Sequence, residues 1–201
     1  ASTLGLVALF GFLYVRYRKP YLGWWTIAWV LFSVRIGAIV TFFLTTDRFW
    51  LFAHQVITGW TALAILWATL VFAGRAIWRR WYLLLLLFPP VWSTIAIYRL
   101  ETFLLAAGPA VAFLSGATLA AGIAFLRFRR RAGSAAAGLL GWTLILWGLH
   151  HLDYPILRAR GAWTPWGYYL DIALILAMGA GILLLVLAER RTRTRPRAVT
   201  S

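Results

Sequence analysis

The densest set of chemically active side chains in the sequence lies in the segment Trp147 to Pro155. Residues three and four positions apart are neighbours on a helix, so His150 should lie beside Asp153 and Tyr154. By the same rule, His151 should lie beside Trp147 and Tyr154. A carboxylate beside an imidazole fixes the tautomer of the ring and raises its basicity, as in many metal sites. The segment therefore predicts a site for a metal, a polar ligand or a proton.

A third histidine, His54, belongs to a different apolar segment and could bring a third imidazole to the same place. A metal would be held by His150, His151, His54 and Asp153, a set that suits zinc, copper or non-haem iron. Two facing imidazoles could instead hold haem b by its axial positions. No HExxH or CxxCH motif is present. Two alternatives stay open: a site for a polar ligand or a proton, and histidines that only form hydrogen bonds at the membrane interface.

One arginine, Arg35, falls near the middle of an apolar segment, where a charge costs about 2.5–3.5 kcal/mol on insertion scales. Such a residue faces the interior of a bundle and finds a partner there. Asp171 is the best candidate by depth, and Glu101 is second. The pair is either an ion pair that ties two helices together or a pair that responds to a ligand or to protonation of Asp171.

These residues are carried by a strongly apolar chain. Of its 201 residues, 63% are hydrophobic and 12% are charged, whereas soluble domains are about 45–50% apolar and about 25% charged. Composition therefore excludes a soluble enzyme and a disordered tail and predicts an integral membrane protein. The absence of cysteine excludes disulfides, zinc bound by cysteine and thiol catalysis.

Seven apolar segments predict an all-α bundle with seven transmembrane helices, since about 20 apolar residues cross a bilayer. The segments are Thr3 to Val15, Gly23 to Thr45, Phe49 to Ala73, Trp81 to Tyr98, Phe103 to Leu126, Ala135 to Tyr154 and Trp166 to Ala188. The first is short, and trimming of its outer end is one explanation because the chain opens on Ala1; a cleaved signal peptide is the rival. Residues 1–189 would form the transmembrane domain and residues 190–201 a basic cytoplasmic tail, a candidate for the truncated linker to an output module.

The positive charges alternate with these segments. Fifteen of the 20 Lys and Arg residues flank the bundle on one side, in the loops after the first, third and fifth segments and in the tail. Basic loops stay cytoplasmic, so the N-terminus is expected outside and the C-terminus inside. The charge of +15 is therefore explained by topology and by contact with anionic lipid headgroups, and no nucleic-acid partner is expected.

Three stretches resemble one family. The run Leu149 to Pro155, then Pro165 to Tyr168, then an apolar helix that ends at Arg191 looks like the N-terminal membrane domains of bacterial sensor histidine kinases and diguanylate cyclases. The opening of the second segment, Gly23 to Trp29, with Arg35 within it, is similar too. The resemblance implies a seven-helix input module in the bacterial inner membrane, usually in a dimer. Its last helix would pass a signal to a cytoplasmic kinase or cyclase module in a longer chain.

The leading hypothesis is therefore a sensory input domain that binds a small ligand or a metal near its outer face. The residues expected to bind it are His150, His151, Asp153, Tyr154, His54, Trp147, Asp171, Arg35 and Glu101. The alternative is a membrane subunit that carries haem or a metal in electron transfer, and the third hypothesis is a structural subunit of a membrane complex. No catalytic residue is assigned, because any catalysis is expected in the cytoplasmic module.

Overall fold

The computed structural model describes residues 2–100, 103–159 and 165–194; the side chains of residues 103–106, 153–159, 165, 168 and 191–194 lie outside the description. This part of the chain contains seven α-helices and no strand. Their bounds are α1 Ser2–Tyr17, α2 Pro20–Thr45, α3 Arg48–Phe72, α4 Tyr82–Arg99, α5 Phe103–Ala132, α6 Ala135–Ala159 and α7 Pro165–Thr194.

Each predicted segment corresponds to one helix, so the all-α fold class is confirmed. Six of the helices are long and apolar enough to cross a membrane, whereas α1, with 16 residues, is shorter. The ends of α5, α6 and α7 lie beyond the predicted apolar segments by several residues. In α5 and α7 these extensions are rich in arginine, which is a good helix former.

The helices pack mainly against their neighbours in the chain. Helix α2 contacts α1 and α3, α3 also contacts α4 and α5, α5 contacts α6, α6 contacts α7, and α7 returns to α1. Aromatic rings fill the space between α1, α2 and α6. Phe10 stacks on Trp25 at 5.9 Å between ring centroids, and Trp29 lies 6.1 Å from Trp147. All four side chains are buried.

Small residues let α5 and α6 approach each other closely. A Cβ atom added at Gly122 would lie 2.7 Å from the carbonyl oxygen of Gly141. A Cβ atom at Gly148 would lie 2.5 Å from the Oγ1 atom of Thr118. Close approach of backbones is a main source of helix association in lipid, where burial of apolar surface drives little.

Helix α4 continues through Pro89 and Pro90 and packs against α3 at the same level. Pro90 has no N–H, so the carbonyl of Leu86 loses its helical donor. The indole Nε1 of Trp60 on α3 donates a hydrogen bond to this carbonyl at 3.1 Å. Gly59 lies against Pro89, and a Cβ atom at Gly59 would be 2.4 Å from the Pro89 Cγ atom. These two features join α3 and α4 at the level of the prolines, and ring contacts such as Trp67 with Tyr82 join them elsewhere.

Charged groups hold the end of α7 against the α1–α2 turn. Lys19 forms an ion pair with Glu189, and Arg190 donates a hydrogen bond to the hydroxyl of Tyr17 at 3.3 Å. The loop after α1 and the end of α7 therefore lie at the same end of the bundle. This agrees with the prediction that both belong to one basic side.

Candidate functional site

Trp147 is the central side chain of the candidate site. It lies on α6 and is fully buried. Its ring contacts those of Trp29 and Phe32 on α2, at 6.1 and 5.5 Å between centroids. Its indole Nε1 donates a hydrogen bond of 2.6 Å to Oδ1 of Asp171. Because Asp171 belongs to α7, this bond connects the aromatic core of α2 and α6 to the last helix.

Arg35 lies on α2, one helical turn after Phe32. Its guanidinium carbon is 4.4 Å from the centroid of the Phe32 ring, a cation–π contact between neighbours at positions i and i+3. Phe32 therefore contacts both the guanidinium of Arg35 and the central indole of Trp147. The long side chain is half-buried, so Arg35 enters the bundle rather than facing outward along its whole length.

His151 lies beside Trp147, as helical spacing predicts, whereas the side chain of Tyr154, its other predicted neighbour, lies outside the described part. Its Nδ1 atom is 2.8 Å from the carbonyl oxygen of Trp147, and its ring meets the indole edge-on at 4.6 Å between centroids. A carbonyl oxygen only accepts, so Nδ1 carries the hydrogen. In the neutral ring, Nε2 then keeps a lone pair that can accept a hydrogen bond or bind a cation.

His54 connects α3 to α2. Its Nδ1 atom lies 3.0 Å from the carbonyl oxygen of Arg35, so this nitrogen also carries the hydrogen. The Nε2 atom of the neutral ring therefore keeps its lone pair, as in His151. His54 on α3 and His151 on α6 therefore have the same tautomer, with the hydrogen on Nδ1 and the lone pair on Nε2.

His150 forms a second connection between α6 and α7. Its Nε2 atom lies 3.0 Å from the carbonyl oxygen of Gly167, so Nε2 carries the hydrogen and the tautomer is opposite to that of His151. The two histidine rings are 6.2 Å apart between centroids. Adjacent histidines in the sequence therefore have different acceptors, one on the same helix and one on α7.

Arg35 is the electrostatic centre of this group. Its charge acts on His54, His151 and Asp171. A guanidinium attracts a carboxylate and repels a protonated imidazole, more strongly in a protein interior than in water. We call the set Arg35, His54, Trp147, His150, His151 and Asp171 the polar cluster. A change of charge at Arg35 would therefore affect His54, His151 and Asp171 together.

Six predicted site residues thus come together in the polar cluster. The expected partner of Arg35, Asp171, does lie within reach of its charge, but the hydrogen bond of 2.6 Å at Asp171 comes from Trp147. The side chains of Asp153 and Tyr154 lie outside the described part, although their backbone belongs to α6. Glu101 also lies outside the described residues.

The predicted metal site is not formed by the described residues. Within ranges 2–100, 103–159 and 165–194, no three His, Asp or Glu side chains are close enough together to share a metal ion. The expected convergence of His54, His150 and His151 on one ion is therefore not found there. Asp153, the fourth predicted ligand, lies outside the described side chains.

Sequence reasoning missed three participants. Phe32 and Trp29 form the aromatic wall between Arg35 and Trp147. Phe32 could have been found from its spacing to Arg35, since positions i and i+3 share a helix face. The Gly167 carbonyl has no side-chain signature, so nothing in the sequence predicts it as the acceptor for His150.

Comparison with known proteins finds no relative of this chain. No family model, curated protein or solved structure matches the chain.

Proposed function

We propose that this chain is a sensory input domain with seven membrane spans, its N-terminus outside and its C-terminus in the cytoplasm of a bacterium. It binds a small polar ligand at the polar cluster and passes the signal along α7 to a cytoplasmic output module. The observation that carries the proposal is the hydrogen bond between Trp147 and Asp171, because it joins the candidate site directly to the last helix.

The proposed signal would pass between two residues of α7. Asp171 lies at the polar cluster, and Glu189 lies about 27 Å further along the helix at a rise of about 1.5 Å per residue. Glu189 pairs with Lys19 at the basic end of the bundle. A ligand that binds Arg35 or Asp171 in only one arrangement of α7 would favour that arrangement by its difference in affinity. The Lys19–Glu189 pair would then break or form at the other end.

The chemistry of the cluster favours a ligand with an acidic group and a hydrogen-bond donor. Arg35 supplies a fixed cation that can bind a carboxylate or phosphate. The Nε2 lone pairs of His54 and His151 supply acceptors. Trp29, Phe32 and Trp147 are buried beside these groups, and hydrogen bonds to a ligand are stronger in such apolar surroundings than in water.

The test uses the absence of native cysteine. Spin labels at Arg75→Cys and Ala188→Cys, both exposed, would report the distance between the α3 end and the α7 end. A panel of small carboxylic acids would be screened by thermal shift, and the binding compound added to the labelled protein in nanodiscs. We expect a change in this distance that is lost in Arg35→Gln. It should be retained in Arg48→Gln, a control at an exposed arginine at the start of α3. Binding without movement of α7, or binding unaffected by Arg35→Gln, would contradict the proposal.

A second candidate is the haem- or metal-binding subunit of an electron-transfer system. It is favoured by the tautomers of His54 and His151. A metal-binding histidine usually donates one ring N–H to a carbonyl or carboxylate and binds the metal through its other nitrogen, and both rings have their Nε2 lone pair in this state. Elemental analysis and a visible spectrum of the purified protein would test it. This function requires about one iron, copper or zinc per chain, lost in His151→Ala. A colourless, metal-free protein would exclude it.

A further inference from the structure

A cavity of about 510 Å³ opens between the end of α5 and the start of α6, at the basic end of the bundle. It is separate from the polar cluster and is not used by the proposed function. Its walls contain both charged and apolar side chains. The lining residues are Leu126, Arg129, Arg130, Gly133, Ala135 and Trp142.

Gly138 on α6 makes room for one of the two arginines. A Cβ atom at Gly138 would lie 2.6 Å from the Cδ atom and 3.0 Å from the Nε atom of Arg129. The side chain of Arg129 therefore lies across the first turns of α6, on the wall of the cavity. Any larger residue at position 138 would displace it.

The cavity carries positive charge from three sources. Arg129 and Arg130 are exposed, and neither forms an ion pair with a residue in the part of the chain that the structure describes. The N-terminus of α6 adds a partial positive charge. Ser134 caps this end of the helix: its Oγ accepts from the Ala137 N–H and its carbonyl from the Gly138 N–H, each at 3.2 Å. The sequence from Arg127 to Gly148 contains no acidic residue that could neutralise this charge.

The remaining wall is apolar and continues toward the membrane. Trp142 is 52% exposed and lies two turns into α6, where interfacial tryptophans are common. Leu126 lies opposite it on α5, beside the last arginines. A soluble anion would use only the arginines and leave this wall uncovered. A phospholipid uses both, because its phosphate and its acyl chain are joined.

We propose that this cavity, the α5–α6 cavity, binds one anionic phospholipid of the phosphatidylglycerol type. The phosphate lies between Arg129 and Arg130 near the start of α6, and an acyl chain descends past Trp142 and Leu126. Basic pockets between membrane helices at this level are suited to anionic headgroups, with each Lys or Arg near the surface contributing attraction. The site holds α5 and α6 to the anionic leaflet.

The test is native mass spectrometry of the full chain in detergent, titrated with phosphatidylglycerol or phosphatidylcholine of the same acyl chains. The double variant Arg129→Gln with Arg130→Gln should lower the affinity for the first phosphatidylglycerol molecule by about tenfold or more, because it removes two cations, each of which attracts the anionic headgroup. The matched control is Arg79→Gln with Arg80→Gln. These two adjacent arginines lie in the α3–α4 loop, do not line the cavity, and should change the affinity by less than about twofold.

Gly138→Leu provides a second variant with unchanged charge. It should displace Arg129 and weaken phosphatidylglycerol binding in the same direction, and Trp142→Ala should weaken it through the acyl chain. Equal losses of affinity in the two double arginine variants would overturn the proposal, because they would show that any pair of basic loop residues attracts the lipid equally. Equal affinity for the two lipids would also overturn it. Displacement of the lipid by an excess of inorganic phosphate would show a site for a free anion instead.

Discussion

Helices α6 and α7 are joined by polar bonds in addition to a close approach at Gly181, where an added Cβ atom would lie 3.1 Å from the Leu140 Cβ atom. Helices α3 and α4 are joined mainly by close approach and by contacts between aromatic rings. At the first contact, Trp147 donates to Asp171 and His150 donates to the Gly167 carbonyl. At the second, Gly59 lies against Pro89, and the only polar addition described is the Trp60 bond to a backbone carbonyl. Burial of apolar surface drives little association in lipid, so both contacts need another source of attraction.

The two contacts differ in what they can be used for. A glycine–proline contact has one good arrangement, because it depends on fit between atoms. A hydrogen bond to a carboxylate depends on a donor and an acceptor, and it can be removed with a smaller change of volume than a close-packed contact. The stability of the α3–α4 contact should therefore be sensitive to added side-chain volume. The stability of the α6–α7 contact should be sensitive to the loss of a hydrogen-bond donor or acceptor.

The largest expected effect is that of Trp147→Ala. The side chain is fully buried and contacts three other rings as well as Asp171, so its removal leaves a cavity and an unpaired acceptor. We expect the free energy of unfolding to fall by about 3–5 kcal/mol in detergent titrated with SDS. The control is Trp142→Ala on the same helix, 52% exposed, which should cost under about 0.5 kcal/mol. Similar losses for both variants would show that Trp147 is not a central residue.

Gly59→Ala tests the sensitivity of the α3–α4 contact to volume. The added Cβ atom would lie 2.4 Å from the Cγ atom of Pro89, within a rigid ring that cannot move aside. The expected cost is about 1–3 kcal/mol in the same titration. Gly37→Ala is the control, since no atom lies within 4 Å of its added Cβ, and it should be neutral or stabilising by up to about 1 kcal/mol. A neutral Gly59→Ala would mean that α4 is free to move away from α3.

Trp147→Phe tests the sensitivity of the α6–α7 contact to chemistry. Phenylalanine keeps a ring in the core but removes the donor to Asp171, so the loss should be about 1–2 kcal/mol. A double-mutant cycle with Asp171→Ala isolates the bond, and its coupling energy should be about 1 kcal/mol. Additive losses would show that the two side chains do not depend on each other. The α6–α7 contact would then be held by packing, as α3–α4 is.

The helices could be predicted from the sequence because each is a long apolar run flanked by charges. The contact between His151 and Trp147 was predicted as well, since it lies within one helix and depends only on spacing. Local geometry of this kind is the same in every α-helix. It therefore needs no knowledge of how the bundle is assembled.

Contacts between helices could be predicted only in part. Depth alone suggested Asp171 as the partner of Arg35, but it could not choose Trp147 among 13 tryptophans as the donor to the Asp171 carboxylate. The acceptors of His54 and His150 are backbone carbonyls on other helices. Every residue has such a carbonyl, so only the rotation and spacing of the packed helices decide which one is used.

The smallest effect, Trp60→Phe, tests whether the polar part of the α3–α4 contact exists because of proline. Phenylalanine removes the donor to the Leu86 carbonyl and keeps an aromatic ring on the partly exposed face, so we expect a loss of about 0.6 kcal/mol. In a Pro90→Ala background, the new alanine N–H can bond to the same carbonyl within α4. The cost of Trp60→Phe should then disappear, because its acceptor already has a donor. An unchanged cost in that background would mean that Trp60 acts through packing, and the α3–α4 contact would be apolar throughout.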